Sequence, residues 1–226
     1  MLGEVIRWSF ITQNWGEIQA DLIQHIVLTF VAVGLGLAIA LPLAVLAWRF
    51  PLARGAVVGV SASLYIIPAL ALFAIVGAYT GYVPPASYKT AEIALVGYTL
   101  LILVWNTLAG LAAVPVEARE AATGIGYSRR ATLWRVELPL AIPYVIAGLR
   151  VATATVIGLV TVTAFIGLGG LGQLLIYGFN TDYYTPIIVA LVLSIVLAAV
   201  CDLAWVGLER VLVPWRRASG RVVARV

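Results

Sequence analysis

The sequence predicts an all-α fold, a polytopic bundle of membrane-spanning helices. Three observations indicate it: 63% of the 226 residues are hydrophobic, only 11% are charged, and the mean hydropathy is +1.06. Soluble domains carry about 25% charged residues, so this composition is typical of an integral membrane protein. Because one span takes about 20 residues, the chain has room for five or six spans with short loops. We therefore predict one transmembrane domain over residues 1–226, with no separate soluble domain.

Residues 1–21 precede the first long apolar run and mix apolar with charged side chains. They include Trp8, Phe10 and Trp15, and tryptophan favours the boundary between lipid and water. The segment lacks the basic region, apolar core and small-residue cleavage site of a secretory signal. We therefore expect an interfacial segment at the membrane surface, followed by a first span that is not removed.

Five apolar runs follow and predict a core of five spans over residues 22–212. They cover residues 22–48, 56–80, 91–114, 141–166 and 186–212. Pro42 is expected to bend the first span without ending it, because neighbouring helices in a membrane satisfy the freed carbonyl. Pro68 lies near the middle of the second run, and Pro186 suits the first turn of the last helix. A loop containing two prolines, at residues 81–90, separates the second run from the third.

The 14 basic residues are unevenly distributed between the two ends of these spans, and the positive-inside rule converts this bias into an orientation. With the N-terminus outside, 11 of them lie in the cytoplasm: Arg49, Arg54, Arg119, Arg129, Arg130, Arg135, Arg210, Arg216, Arg217, Arg221 and Arg225. Only Arg7 and Lys89 then lie outside, with Arg150 inside a span. We therefore predict a cytoplasmic segment at residues 117–139 and a basic cytoplasmic tail at residues 213–226. The same bias explains the net charge of +4 without a nucleic acid partner.

The polar segment at residues 117–139 is the longest between two spans, and it carries four arginines. Gly124 and Gly126 divide it into two short helices, expected over residues 117–123 and 129–137. Helix, glycine elbow and helix together should protrude just below the membrane.

The second of these short helices has its own start and stop signals. Ser128 is suited to cap its N-terminus, and Pro139 is expected to end it. Apolar Leu133 and Trp134 alternate with charged residues, so that one face can be buried while the other pairs with charge. A merely solvated loop does not explain these apolar residues.

The sequence has no group of residues typical of an enzyme active site or a metal centre. Lys89 is the only lysine, and Tyr88 stands where a phosphate-binding loop needs glycine. The single histidine, His25, and the single cysteine, Cys201, lie in different spans, so they do not pair for nucleophilic catalysis. We expect His25 to be an interfacial residue and Cys201 an ordinary buried one. The chain should be non-catalytic, with no cofactor or metal of its own.

A glycine-rich stretch follows the fourth apolar run. Gly167, Gly169 and Gly172 match the letters of a dinucleotide-binding fingerprint, but that motif follows a buried strand and needs an acidic residue about 20 positions later. Here a membrane span precedes the glycines, and Asp182 comes too early. We instead expect these glycines and Gly170 to form a flexible hinge that closes the top of the bundle.

The polar segment resembles the EAA loop of permeases in binding-protein-dependent ABC importers. The resemblance rests on Glu120-Ala121-Ala122, on Gly126 four residues further on, and on the aliphatic-x-Leu-Pro ending at residues 136–139. It implies the fold of a type I ABC importer permease, in which this loop is a coupling helix that docks into a groove on an ATPase. The residues expected at that contact are Glu120, Ala121, Ala122, Gly126, Leu133, Trp134, Leu138 and Pro139.

The same resemblance implies the partners of the chain. A cytoplasmic dimer of ABC ATPases would bind ATP and Mg and supply the energy. A second permease subunit, identical or paralogous, would complete the pathway, and an extracytoplasmic solute-binding protein would deliver the solute. The complex would lie in the cell membrane of a bacterium or an archaeon.

Further stretches resemble the osmoprotectant branch of this family, which imports glycine betaine, choline, carnitine or proline-like solutes. They are residues 67–72, 106–107, 120–128 and 163–172. Trp105 departs from the pattern, in which arginine precedes Asn-Thr. Two alternatives stay open: a permease for amino acids such as methionine, with the same coupling loop, and a channel or scaffold that needs no ATPase.

Three residues within the spans are candidates for the pathway or its gate: Pro68, Asn106 and Arg150. An arginine within a span is costly, so Arg150 should pair with a carboxylate or face water. We expect it to reach the cytoplasmic surface with Glu137 as its partner. The alternative is a direct role in the pathway or its gate.

Overall fold

The computed structural model of the chain describes residues 6–80 and 87–215. Within these ranges it contains nine helices and no strand. They are α1 (Trp8–Gln13), α2 (Trp15–Arg49), α3 (Pro51–Ile66), α4 (Ala69–Thr80), α5 (Tyr88–Ala112), α6 (Val116–Gly124), α7 (Arg129–Ile166), α8 (Gly172–Asn180) and α9 (Tyr184–Leu212). The all-α prediction is confirmed. The proline pair of the predicted loop and the arginines of the predicted tail lie outside the described residues.

The number of spans agrees with the five apolar runs. Four helices, α2, α5, α7 and α9, are long and apolar enough to cross a membrane. Helices α3 and α4 provide a fifth span if the two are counted together. The predicted helical membrane bundle of about five spans is thereby confirmed.

The second span is broken, which the apolar run alone did not indicate. Helices α3 and α4 meet at an angle of 108°, and Ile67 between them has extended backbone angles, φ −63° and ψ 129°. A proline disfavours the helical conformation of the residue before it, so Pro68 sets the position of the break. Pro42, by contrast, lies inside α2 without ending it, as expected.

Helix α2 begins at Trp15, earlier than the predicted start of the first span at residue 22. Its 35 residues give a length of about 52 Å, which exceeds the ~30 Å hydrocarbon core. The N-terminal segment therefore consists of α1 and the first turns of α2. Phe10 of α1 lies 6.0 Å from the Tyr177 ring and 5.3 Å from the Tyr183 ring. These contacts hold the segment against α8 and the start of α9.

The core lies where α2, α5 and α7 cross. In α5, 56% of the apolar stretch is buried, whereas only 11% of the corresponding stretch of α9 is buried. Glycines permit the close crossings: a Cβ on Gly36 would lie 1.9 Å from Thr99 Oγ1, and one on Gly148 would lie 2.8 Å from Asn106 Cβ. Small residues commonly allow helices to approach in this way in membranes. Helix α5 is therefore central and α9 peripheral.

Candidate coupling surface and intramembrane ion pair

The segment between α5 and α7 forms the expected elbow. Helix α6 ends at Gly124, and Gly126 has φ +88°. This conformation costs glycine little and other residues about 1 kcal/mol. Ser128 Oγ accepts a hydrogen bond from the Ala131 N–H at 3.2 Å. The predicted glycine break and the predicted N-cap are both confirmed.

Pro139 does not end the second short helix, contrary to expectation. The chain stays helical from Arg129 to Ile166, with a π turn over Leu133–Glu137 and regular α-helix from Leu138 onward. The π turn changes the hydrogen-bond register, so that Pro139 falls in the first turn of an α-helical segment, where its missing N–H is tolerated. The elbow is therefore a direct extension of the fourth span.

Arg119 braces the elbow against the spans. Its Nε donates to Glu137 Oε1 at 2.7 Å, and its Nη2 donates to the Leu111 carbonyl at 2.6 Å. Its guanidinium also lies 5.4 Å from the centroid of the Trp48 ring. These contacts join α6 to α2, α5 and α7. Arg119 was predicted only as a cytoplasmic charge, because Glu137 was expected to pair with Arg150 instead.

The eight predicted coupling residues fall into two groups. Four are exposed: Glu120, Ala121, Gly126 and Trp134. Ala122 and Leu133 are buried, whereas Leu138 and Pro139 are half-buried, so these four contribute packing. Ile125, at the tip of the elbow, is 73% exposed and was missed, although an apolar residue between two glycines is a visible signal.

We call four of the exposed residues of the elbow, Glu120, Ala121, Ile125 and Gly126, the coupling surface. Trp134 lies apart from this set, because it lines an apolar groove between α2, α7 and α9. The coupling surface therefore combines one carboxylate with small and apolar groups on a glycine turn.

Arg150 pairs with Asp202, and the expected pairing with Glu137 is wrong. The Arg150 Nε donates to Oδ1 of Asp202 at 2.6 Å, and Nη2 donates to Oδ2 at 2.9 Å. This two-point contact joins α7 to α9. Glu137 lies about 20 Å earlier along α7 and is already paired with Arg119. The partner of Arg150 could not be predicted, because the apolar pattern does not show which span lies beside it.

The other two pathway candidates have separate surroundings. Asn106 Nδ2 donates to the Ile102 carbonyl at 2.8 Å, and Asn106 packs against Gly148 of α7. Pro68 is exposed at the break between α3 and α4. Their roles in the pathway stay predictions. Cys201 is buried, as predicted. Within residues 6–80 and 87–215, no three His, Cys, Asp or Glu side chains are grouped to hold a metal ion.

The glycine-rich stretch is anchored to α2 by two side chains. His25 is fully buried; its Nδ1 accepts from the Leu171 N–H at 3.3 Å, and its Nε2 contacts the Ile157 carbonyl at 3.0 Å. The tautomer with hydrogen on Nε2 satisfies both contacts. Gln24 Oε1 accepts from the Gly170 N–H at 3.0 Å. His25 is therefore an internal link between helices. The expectation of an interfacial residue was wrong.

The glycines of this stretch are closely packed. Gly167 and Gly170 have φ angles of 80° and 89°, which other residues rarely adopt. A Cβ on Gly169 would lie 1.7 Å from the Gln24 amide oxygen, and one on Gly172 would lie 2.2 Å from a backbone oxygen of α7. Each glycine is thus needed for this conformation or this contact. The predicted hinge role stays a prediction.

Curated relatives resemble the chain along nearly its whole length. A choline transport system permease protein of Bacillus subtilis, OpuBB, is 34% identical over 210 residues, covering 91% of this chain and 93% of the relative. The osmoprotectant import permease protein OsmW of Salmonella typhimurium is 34% identical over 212 residues, covering 91% and 96%. The carnitine transport permease protein OpuCB of Listeria monocytogenes is 31% identical over 206 residues, covering 91% and 93%.

Solved structures share the fold. A chain of the MetNI methionine ABC transporter in an inward-facing conformation matches with a TM-score of 0.74 at 20% identity, covering 85% of this chain and 94% of that one. A chain of an amino acid ABC transporter crystallised with histidines matches with a TM-score of 0.78 at 20% identity, covering 91% and 98%. Residues 21–212 match the family described as the binding-protein-dependent transport system inner membrane component, and the chain belongs to that family.

Proposed function

We propose that the chain is the membrane-spanning subunit of an ATP-driven importer and forms the pathway for a compatible solute such as glycine betaine, choline, carnitine or proline. The observation that carries this proposal is the elbow, which extends the fourth span without interruption and presents the coupling surface at its tip. Arg119 holds this helical extension against the spans, and its tip is apolar and exposed. Such a structure fits docking to a second protein better than it fits a channel or scaffold that acts alone.

The solute class is supported by the relatives, whose names specify choline, carnitine and osmoprotectant transport. The solved methionine and amino acid transporters support the fold alone, because their identity to this chain is 20%. The osmoprotectant proposal is therefore better supported than an amino acid importer.

The energy for transport comes from a separate dimer of cytoplasmic ABC ATPases, which bind ATP and Mg. The coupling surface docks on these ATPases. Because Arg119 ties α6 to the start of α7, closure of the ATPases moves both as one body. The movement then tilts α7 within the membrane, since the elbow and the span are one helix.

The chain works with two further partners in the cell membrane of a bacterium or an archaeon. A second permease subunit, the same chain or a paralogue, completes the pathway, and an extracytoplasmic solute-binding protein supplies the solute. The N-terminus is outside, whereas the elbow and the tail at residues 213–226 are cytoplasmic. Arg49 and Arg129 line one cleft, so the α2–α3 turn and the elbow share one end of the bundle. This clustering of positive charge supports a cytoplasmic elbow.

Other predicted roles belong to the same proposal. Arg150, Asn106 and Pro68 line or gate the pathway, and the glycine-rich stretch acts as a hinge at the outer end.

Reconstitution tests the proposal. The chain is assembled in proteoliposomes with its ABC ATPase and its solute-binding protein, and the uptake of labelled glycine betaine, choline and methionine is measured. We expect ATP-dependent uptake of glycine betaine or choline and none of methionine. Uptake of methionine alone would overturn the solute class, and uptake without the ATPase would overturn the pump.

A further inference from the structure

The ion pair between Arg150 and Asp202 lies within two spans and is only partly covered. Asp202 lies about 15 Å before the end of α9 at Leu212, and Arg150 lies about 24 Å before the end of α7 at Ile166. Both residues therefore lie within helices that are long and apolar enough to cross a membrane. The two side chains are nevertheless 38% and 44% exposed in the isolated chain.

Ionised groups in spans face the bundle interior or a water-filled cavity, because contact with acyl chains is strongly unfavourable. The exposed side of this pair is therefore covered by water, by solute or by another protein when the transporter is assembled. A pair that only joined two helices would need no such exposure, because complete cover by protein would be more favourable in lipid.

The groups around the pair favour a positively charged ligand. Helix α9 places Asp202, Trp205 and Glu209 on one face, at spacings of three and seven residues. Glu209 also acts electrostatically on Arg150, so a second carboxylate contributes negative potential beside the guanidinium. Trp205 is held in place because its Nε1 donates to Thr153 Oγ1 at 3.0 Å.

We propose that this cluster is a solute-binding site in the pathway, which takes a compact zwitterion with a carboxylate and a quaternary ammonium group. The solute carboxylate occupies the guanidinium fork of Arg150 in place of Asp202. The ammonium group then lies between the freed Asp202 carboxylate and the Trp205 ring. The proposal rests on the proposed function, for which it names the solute contacts.

The exchange is favourable because the charges stay compensated at every stage. A guanidinium fork matches a carboxylate in two-point geometry, whether the carboxylate belongs to Asp202 or to the solute. Quaternary ammonium groups bind to aromatic faces, and tryptophan offers the strongest one. Opening an ion pair within the spans without replacement would leave two uncompensated charges, so a zwitterion opens the pair at far lower cost than an uncharged solute.

The first test compares two solutes that differ in the carboxylate. Glycine betaine has both charged groups, whereas choline has the ammonium group and a neutral hydroxyl. Arg150→Lys keeps the positive charge but removes the fork. In the reconstituted complex with saturating binding protein, the ratio of maximal betaine uptake to maximal choline uptake should fall about tenfold in this variant.

If the pair only held α7 and α9 together, Arg150→Lys would lower the transport of both solutes in proportion. A ratio within twofold of wild type would therefore overturn the binding site. If the wild-type complex imports neither solute, the proposed function fails instead, and the two failures are distinguished.

The second test reports access without disturbing the pair. Val206→Cys adds a thiol one turn from Asp202, in a Cys201→Ala background that removes the only native thiol. In inverted membrane vesicles, a charged, membrane-impermeant thiol reagent should label this residue, and saturating glycine betaine should slow labelling at least about twofold. The background without the added cysteine gives the baseline.

Leu203→Cys in the same background is the matched control, because Leu203 is 69% exposed and follows Asp202 directly. Betaine should not protect this position. Absence of labelling at residue 206, or equal labelling with and without betaine, would overturn the proposal even if Arg150→Lys fails to assemble.

Discussion

Two arginine–carboxylate pairs of the same chemistry lie in opposite surroundings. Arg119 and Glu137 lie at the elbow, beyond the apolar part of the spans, yet their side chains are only 29% and 11% exposed. Arg150 and Asp202 lie within the spans, yet their side chains are 38% and 44% exposed. Near water, burying a charged pair costs desolvation energy, so such burial indicates that the pair holds a particular local structure in place. Within a membrane, contact between a charged group and lipid is unfavourable. The first pair is therefore a brace, and the second faces something that the isolated chain does not contain.

The largest effect is expected outside both pairs, at the surface that the brace holds in place. Glu120→Lys reverses an exposed charge on the coupling surface, and like charges across an interface are strongly unfavourable. We expect ATPase association and solute uptake to fall about a hundredfold, while the midpoint of thermal unfolding of the permease stays unchanged. Co-purification of the ATPase and an uptake assay measure the two effects. Glu17→Lys, at the other end of the bundle, is the control and should retain both activities.

The brace itself is tested by Arg119→Ala. The change leaves Glu137 largely buried without its cation and should lower the free energy of unfolding by about 2–3 kcal/mol. Denaturant unfolding of the purified permease measures this. Arg135→Ala is the matched control, because Arg135 is exposed and lies 5.7 Å from the centroid of the Tyr127 ring, and its loss should cost less than about 0.5 kcal/mol. Equal losses in the two variants would refute the brace.

The intramembrane pair should respond differently when both charges are removed together. Arg150→Ala with Asp202→Ala removes both members of the ion pair, so the midpoint of thermal unfolding should fall by no more than about 2 °C, less than for either single change. Uptake should nevertheless be lost. The corresponding double change at Arg119 and Glu137 should remain destabilising, because the contacts of Arg119 with Leu111 and Trp48 are also lost. Equal stability losses in the two double variants would remove the distinction between the pairs.

The smallest effect is expected at the turn that shapes the elbow. A Cβ on Gly126 would meet nothing within 4 Å, so Gly126→Ala should cost only the strain of φ +88°, about 1 kcal/mol. Gly124→Ala is the control, because that residue is helical and equally open, and alanine should be neutral or stabilising there. Unfolding of both variants in denaturant provides the comparison. If the two substitutions had the same effect, the turn would not depend on the backbone of Gly126.

The coupling surface was largely predictable, because its signals are local. A glycine break before Ser128 and a cap at Ser128 depend on residues within one turn of the chain, and both were found where the sequence indicated. Pro139 was misjudged, because its effect depends on the hydrogen-bond register set by the π turn before it. Ile125 is not part of the motif that carries the resemblance, so its exposed position was not predicted.

The sequence by itself determined the helical membrane fold, the number of apolar runs and the elbow, because lipid transfer and turn geometry depend on residues close together in the chain. Only the tertiary structure decided which groups are partners: Glu137 for Arg119, Asp202 for Arg150, and the glycine-rich stretch for His25. It also decided the 108° break in the second span. The physical reason is that spans are apolar on nearly every side, so their pattern carries little information about which helix lies beside which.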